Sequence, residues 1–308
     1  MDDSEWLTGR FEEHRPHLRA VAYRMLGSLA EADDAVQDAW ERVNRAGADD
    51  VHNMKAWLTT VVARVCLNVL RSRNAHHEEP LEAYVPDPIV SPADGPDPEE
   101  EVLLADSVGL ALQIVIDTLG PAERLAFVLH DIFHLSFDEI AAMVGRSPEA
   151  TRQLASRARR RIKAADVPTP DRDLARQRAV VDAFFAAGRA GDFDALVALL
   201  HPDVVARADF GPGRPNASRV LRGTAAVARQ ARIGANAAAV ILPALVNGAA
   251  GVVITLDGQP LVLMGFTVVD GKVVEVDVIG DPERIARLAA PVLAGARPRP
   301  PQPPGKAG

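Results

Sequence analysis

The densest chemistry in the chain lies between Leu135 and Lys163. Ser136 stands three residues before Glu139, the spacing of a capping box at a helix start. Ile140 and Val144 share one face of that helix, and small Ala141 lets a second helix approach. Gly145 permits the left-handed turn that redirects the chain. Ser147 then caps a second helix, and Pro148 takes its first position. This is the grammar of a helix-turn-helix that lays its second helix in the DNA major groove. Ser147, Glu149, Arg152, Gln153 and Ser156 stand at the front of that helix. Gln suits adenine, Arg guanine and Glu cytosine. Arg157 and Arg160 suit phosphates, which position a protein without specifying a sequence. Residues 147–163 carry six basic side chains against Glu149 alone.

Two further clusters lie upstream. Residues 52–77 combine Asn53, Lys55, Arg64, Arg71 and Arg73 with Trp57. Basic and aromatic residues together suit opened DNA, where bases can stack or be captured; a core position serves Trp57 equally well. Ahead of them Asp33, Asp34, Asp38 and Glu41 share a short amphipathic helix with Gln37 and Trp40. An acidic helix repels DNA and suits a protein partner.

In the second half, His201, Asp209, Asp257 and Asp277 are the candidates for a general base in an enclosed pocket. Bland uses compete with each. His201 fits a turn or the surface, Asp257 and Asp270 precede glycines in hairpin signals, and Asp277 alternates with Val276 and Val278 and could face either way. No nucleophile motif or metal-ligand spacing accompanies them, so the expectation is a non-enzyme without cofactor or metal. Cys66 lies among Val62, Val65 and Leu67 and reads as core; a single cysteine excludes an intramolecular disulfide. His76-His77 reads as a solvated helix end.

These side chains need three blocks to hold them. Residues 5–77 show helical periodicity, with Leu18, Val21, Ala22 and Met25 and then Ala32, Ala35, Val36 and Ala39 in register. Residues 78–101 hold six prolines among acids and read as a flexible linker. Residues 102–165 are helical again. Residues 172–290 begin with helices over Leu174–Ala190 and Phe193–Leu200, then give strands over Val204–Asp209, Val220–Arg222, Val240–Val246, Val252–Leu256, Leu261–Val269 and Val273–Ile279. That order argues an α+β domain. The tail, 295–308, is Pro-rich and expected to be disordered.

The formal charge of −8 taken alone argues against nucleic acid, but its location reverses that inference. Ten acids and no basic residue fall within 78–106, leaving 34 basic against 32 acidic residues elsewhere. Net charge averages over segments that meet different partners. The uncharged stretch 233–256 contains Pro243, Asn247 and Gly248 and reads as two buried strands rather than a membrane span. MDDSEW lacks an apolar leader core, so the expected location is the cytoplasm.

The three blocks together resemble a known family. AEADDAVQDAWERV resembles region 2.2 of bacterial sigma-70-type factors, which docks on the clamp helices of the polymerase β′ subunit. NMKAWLTTVVARVCLNVLRSR resembles the following regions, which melt and read the −10 promoter element. LGPAERLAFVLHDIFHLSFDEIAAMVGRSPEATRQLASRARRRI resembles region 4, which binds the −35 element and the β flap. With no middle domain between them, the layout is that of the extracytoplasmic-function sigma factors. ALLHPDVVARADFG resembles the SnoaL-like fold, a curved sheet around a cone-shaped pocket, as in the sigma-J-like subgroup. The resemblance implies two all-α domains followed by an α+β SnoaL-like domain that regulates in cis. It implies core RNA polymerase and promoter DNA as partners, no membrane, and a cone able to take a small apolar ligand. The subgroup's WLPEP, DGGGK and NPDKL motifs stand here, altered, as Tyr84-Val85-Pro86-Asp87-Pro88, Asp209-Phe210-Gly211-Pro212-Gly213-Arg214 and Asp281-Pro282-Glu283-Arg284-Ile285. The implied interdomain contacts are therefore Tyr84, Pro86, Asp87, Pro88, Asp209, Arg214, Asp281, Pro282 and Arg284. The rival readings are a helix-turn-helix regulator that needs no polymerase and an enzyme carrying a DNA-binding module.

Overall fold

The computed structural model describes residues 3–46, 51, 53–75, 83–94, 109–234 and 238–296. Its N-terminal block is three long helices, α1 (Asp3–Leu26), α2 (Leu29–Ala46) and α3 (Met54–Ala75). Leu18, Val21, Met25, Val36, Leu58, Val62 and Cys66 close their shared core. Burial pushes the Cys66 thiol up to about 12, so it behaves as a small apolar side chain. Gly27, at φ +75°, makes the tight reversal from α1 to α2.

Among the described residues, four helices and a π-helical turn form the second block: α4 (Leu110–Asp117), α5 (Pro121–Phe127), the turn Val128–Ile132, α6 (Phe137–Val144) and α7 (Pro148–Ala164). Both halves of the capping box form, Ser136 accepting from the Glu139 amide and Glu139 accepting from the Ser136 amide. Gly145 sits at φ +73°, and the Ser147 hydroxyl accepts from the Ala150 amide at 3.2 Å. The helix-turn-helix therefore forms where its residues require. The two helical blocks are not independent bodies, however. Leu125, Val128, Leu129 and Ile140 join the same continuous core as Leu18 and Leu58, because α3 packs on α5 and α6.

The third block is a seven-stranded sheet in the order β1-β4-β5-β6-β7-β2-β3. Its strands are β1 (Val90–Pro92), β2 (Leu200–Asp209), β3 (Arg219–Arg222), β4 (Val240–Val246), β5 (Ala249–Leu256), β6 (Gln259–Val269) and β7 (Lys272–Ile279). Every pairing is antiparallel except β2 with β7. On one face lie α8 (Leu174–Ala190), α9 (Phe193–Leu199) and α10 (Thr224–Gly234), with Val181, Phe184, Leu196 and Val227 in the core. On the other lie α11 (Pro282–Leu288), α12 (Ala290–Ala296) and Leu110 of α4, over Ala244, Val253, Leu263 and Ile279. The turns Asn247-Gly248, Asp257-Gly258 and Asp270-Gly271 all take positive φ. Residues 240–256 are thus strands and a turn, and no helix among the described residues is long and apolar enough to cross a membrane.

One expectation fails outright. Residues 83–94, read as flexible linker, are packed, and Val90–Pro92 pairs with Ala244–Val246 as the edge strand of the third block's sheet. The prolines suit this place, because an edge strand and the irregular chain before it leave few ladder N–H groups to lose. Residues 76–82, with His76 and His77, and 95–108 lie outside the described residues. The expected tail begins as helix through Ala296, and 297–308 also lie outside them.

Candidate nucleic-acid interface and interdomain junction

Helix α7 buries Thr151, Leu154, Ala155 and Ala158 against its own block and turns the opposite face outward. Glu149, Arg152, Gln153, Ser156, Arg157 and Arg160 are all exposed on that face, as a groove-reading helix requires. Arg152 lies over the Phe137 ring at 5.5 Å, which fixes its stem. Arg157 and Arg161 pair with Glu123 at 3.0 and 3.2 Å, and Arg159 pairs with Asp131 at 2.7 Å. Arg157 is thus already engaged within the domain, a partner no local pattern predicts.

The second cluster divides. Lys55 and Arg71 are exposed. Asn53 caps α3, its Oδ1 accepting from the Ala56 amide at 3.1 Å. Trp57 is half-buried against the helical core. Arg73 ion-pairs with Glu31 and reaches the Leu26 carbonyl, so it ties α3 to the first two helices. Arg64 donates to the Ala142 carbonyl of α6 at 3.1 Å, joining the first block to the helix-turn-helix. In the third cluster Asp34, Gln37, Asp38 and Glu41 are exposed along α2, Asp33 pairs with Arg19 at 2.6 Å, and Trp40 rests on Phe11 with ring centroids 4.9 Å apart.

The three altered motifs converge. Arg284 donates to Asp87 and Asp209, both at 2.6 Å, and to the Val85 carbonyl at 2.5 Å, and it lies over the Tyr84 ring. Burial works to lower its pKa, but the two carboxylates outweigh burial and leave it raised. Asp209 also accepts from the Val85 amide at 3.2 Å. Asp281 caps α11 by accepting from the Arg284 amide, and Pro282 takes the first helical position. Pro86 and Pro88 are buried. Arg214 stands apart, on the Phe210 ring and the Gly280 carbonyl.

Other members of this junction carry no motif. Arg287 pairs with Asp87. Tyr23 of α1 donates its hydroxyl toward the Asp87 carbonyl and Asn247 Oδ1, at 3.0 and 3.1 Å. Asn247 Oδ1 also accepts from the Ile89 amide at 2.8 Å, and the Asp87 amide donates to the Gly27 carbonyl at 3.0 Å. First block, intervening segment and sheet thus meet at one point. A second latch lies nearby. Arg124 of α5 donates to Asp117 at 2.7 Å and to the Met25 carbonyl at 2.9 Å. Burial outweighs the attraction within this pair and shifts each partner toward its neutral form. The only hints in sequence are a tyrosine in an apolar run and an Asn-Gly turn.

The concave face of the sheet encloses a cavity of about 260 Å³, lined by Phe184, Phe185, Ile254, Met264, Val276 and Val278 among others. His201, Asp209, Asp257 and Asp277 do not line it. His201 accepts from the Asp203 amide at the irregular start of β2, and Asp209 serves the junction. Asp277 faces away from the cone, beside Arg207 at 3.3 Å, with Glu275 on the same guanidinium. Burial raises the Asp277 carboxyl to about 7; Arg207 opposes this and Glu275 adds to it. That side of the sheet borders a second cavity of about 290 Å³, closed by Gly109–Leu112 and Val167–Pro170.

Residues 10–76 match Sigma-70 region 2, and residues 110–162 match Sigma-70, region 4. The chain is 38% identical over 287 residues to the ECF RNA polymerase sigma factor SigJ of Mycobacterium tuberculosis, across 89% of this chain and 91% of that one. It is 36% identical over 213 residues to the probable ECF RNA polymerase sigma factor SigI of Mycobacterium tuberculosis, across 69% and 73%. The crystal structure of SigJ superposes with a TM-score of 0.71 at 35% identity, over 91% of this chain and 98% of that one. The likeness runs through both helical blocks and on through the cone-bearing sheet, and the chain belongs to the extracytoplasmic-function (ECF) family of sigma-70-type RNA polymerase sigma factors.

Proposed function

We propose that this sigma factor is held in a closed resting form by its own third domain. One observation carries the reading: Arg64, on the helix assigned to the −10 element, hydrogen-bonds the helix-turn-helix assigned to the −35 element. Two elements some 25 base pairs apart lie about 85 Å apart along B-DNA, at about 3.4 Å per pair. Blocks in direct contact cannot bridge that span, so initiation requires them to part. The Arg284 junction and the Arg124 latch oppose the parting, because each ties α1 to a later domain.

In the opened form the exposed acids of α2, Asp34, Asp38 and Glu41, with Gln37, meet the β′ clamp helices. Lys55, Trp57 and Arg71 engage the opened −10 strand. Helix α7 enters the −35 major groove through Glu149, Arg152, Gln153 and Ser156, with Arg160 on phosphate, and the second block also meets the β flap. The protein works in the cytoplasm, beside polymerase and chromosome. Its third domain regulates and does not catalyse, since its candidate carboxylates serve the junction, a turn and the seam. The cone takes a small apolar ligand.

The test is transcription by bacterial core polymerase from a promoter library, with the full chain and its Arg284→Ala and Arg124→Met variants. Sigma-dependent initiation that rises in the variants supports the reading. Initiation unchanged or lowered in both folded variants overturns the closed form. DNA binding without any initiation would instead mark a regulator independent of polymerase.

A further inference from the structure

We infer that the cone is built for a small molecule with an apolar body and an anionic head. The inference rests on the reading that the cone takes a ligand and adds the sign and size of that ligand. The body of the cavity is aromatic and aliphatic: Phe184 and Phe185 stand edge-to-face at 5.6 Å, facing Met264 and Val276. The polar side chains on its wall are Arg189, Arg219 and Gln230, and no carboxylate lines it among the described residues. Arg189 spends one N–H on the Ala239 carbonyl at 3.1 Å, which fixes its guanidinium at the wall. Neither arginine meets a carboxylate among the described residues, whereas Arg207 and Arg284 of the same domain each pair with two.

Two guanidinium groups beside an apolar hollow repel a cation and leave a neutral guest's head without a charged partner. A carboxylate gains charge-assisted, bidentate hydrogen bonds there. A cavity of about 150 Å³ accepts benzene, so 260 Å³ accepts about ten heavy atoms. A catalytic cone of this shape would need a general base in the wall. Here the acids have been placed on the opposite face of the sheet or in its turns, which leaves binding as the chemistry available.

Octanoate, an eight-carbon chain whose last carbon is the carboxylate, is the probe. 1-Octanol and octylammonium match its eight carbons and change the charge of the head. Calorimetric titration of the full chain is expected to give octanoate a Kd of about 1 mM or tighter. Octanol should bind at least fivefold more weakly and octylammonium more weakly still. Arg219→Gln should weaken octanoate about five- to tenfold and leave octanol unchanged. Ala208→Phe and, separately, Val262→Phe should block all three probes by filling the cone. Octanol binding as tightly as octanoate, or an unchanged preference in Arg219→Gln, overturns the anionic head while the cone remains a ligand site. No binding of any probe by the folded chain, or binding untouched by both phenylalanines, overturns the cone as a ligand site as well. Neither result bears on sigma function, which is read by transcription.

Discussion

Replacing Arg284 with alanine should release the segment 84–90 from the rest of the protein. Its guanidinium makes three hydrogen bonds, and two of them cross to that segment, to Asp87 and the Val85 carbonyl. The third, with Asp209, lies within the third domain and survives release. The side chains of Arg284, Asp87 and Asp209 are 18%, 9% and 6% exposed, so solvent screens them little. Hydrogen bonds to charged groups contribute about 1.5–3 kcal/mol each. Arg287 stays beside Asp87 and softens the loss. Taking the low end for both bonds gives about 3 kcal/mol, or roughly a hundredfold rise in the released population. Amide hydrogen exchange reads this directly. The Asp87 and Ile89 amides, bonded to the Gly27 carbonyl and Asn247, should exchange about a hundredfold faster. The amides of Val252 and Val253, in the middle of the sheet, should change little. Arg284→Lys, which keeps the charge but loses the fork, should fall between. Exchange at Asp87 and Ile89 within threefold of wild type refutes the reasoning. So would an equal acceleration at Val252, since that would mean general destabilisation of the domain rather than release of a clamp.

Three further outcomes are expected. Gln153→Ala should relax promoter preference at one base position by about 1–3 kcal/mol, whereas Arg160→Ala should weaken binding evenly across sequences and lower the salt slope by about 1; quantitative binding to a −35 library distinguishes them. Ser136→Ala should remove both hydroxyl bonds of the capping box and lower stability by about 1 kcal/mol in urea unfolding, with a change below 0.3 kcal/mol counting against the cap. Asp277 has a folded pKa raised above its unfolded value, so the stability tied to its protonated form is present in full below about pH 4 and is lost as pH rises to about 7. Asp277→Asn should therefore gain on wild type across that window while Glu275 keeps Arg207 paired; a difference that stays flat with pH from 4 to 8 would show that Asp277 titrates normally.

What the sequence made legible is what depends on neighbours along the chain. Ser136, Glu139, Gly145 and Ser147 act within three or four residues of themselves, and the helix-turn-helix appeared where they demanded it. The hairpin dipeptides did the same for the sheet, and β4 matches its expected bounds residue for residue. The failures share one cause, a partner far away in sequence. Asp87 reads as a solvated acid in a proline-rich stretch until Arg284, 197 positions on, closes over it. The partners that Arg64 and Arg73 take in this fold, Ala142 and Glu31, are equally distant and equally invisible in the sequence around them. Alternation alone left Asp277 free to face either way. The register opposite Arg207 decides it, and that register is set by a parallel pairing between strands more than sixty residues apart.

That same alternation makes one sheet serve both halves of the regulatory proposal. Along β6 and β7, Met264, Val276 and Val278 face the cone, while Gly265, Thr267 and Asp277 face the seam with the helical blocks. At Gly265 the seam is tight. A Cβ built there would lie 3.1 Å from Val246 and 3.2 Å from Leu110, the first residue of α4. Close-packed interiors do not absorb displacement softly; neighbours move together or the contact breaks. A guest that shifted β6 outward would press on Leu110, the first residue of α4, whose Gln113 and Asp117 hold the Arg24 carbonyl and Arg124 at the latch with α1. Any side chain at 265 would crowd Val246 and Leu110 and force the strand and α4 apart. Glycine there sets the strand that lines the cone in direct contact with α4, the helix that carries Gln113 and Asp117 to the latch.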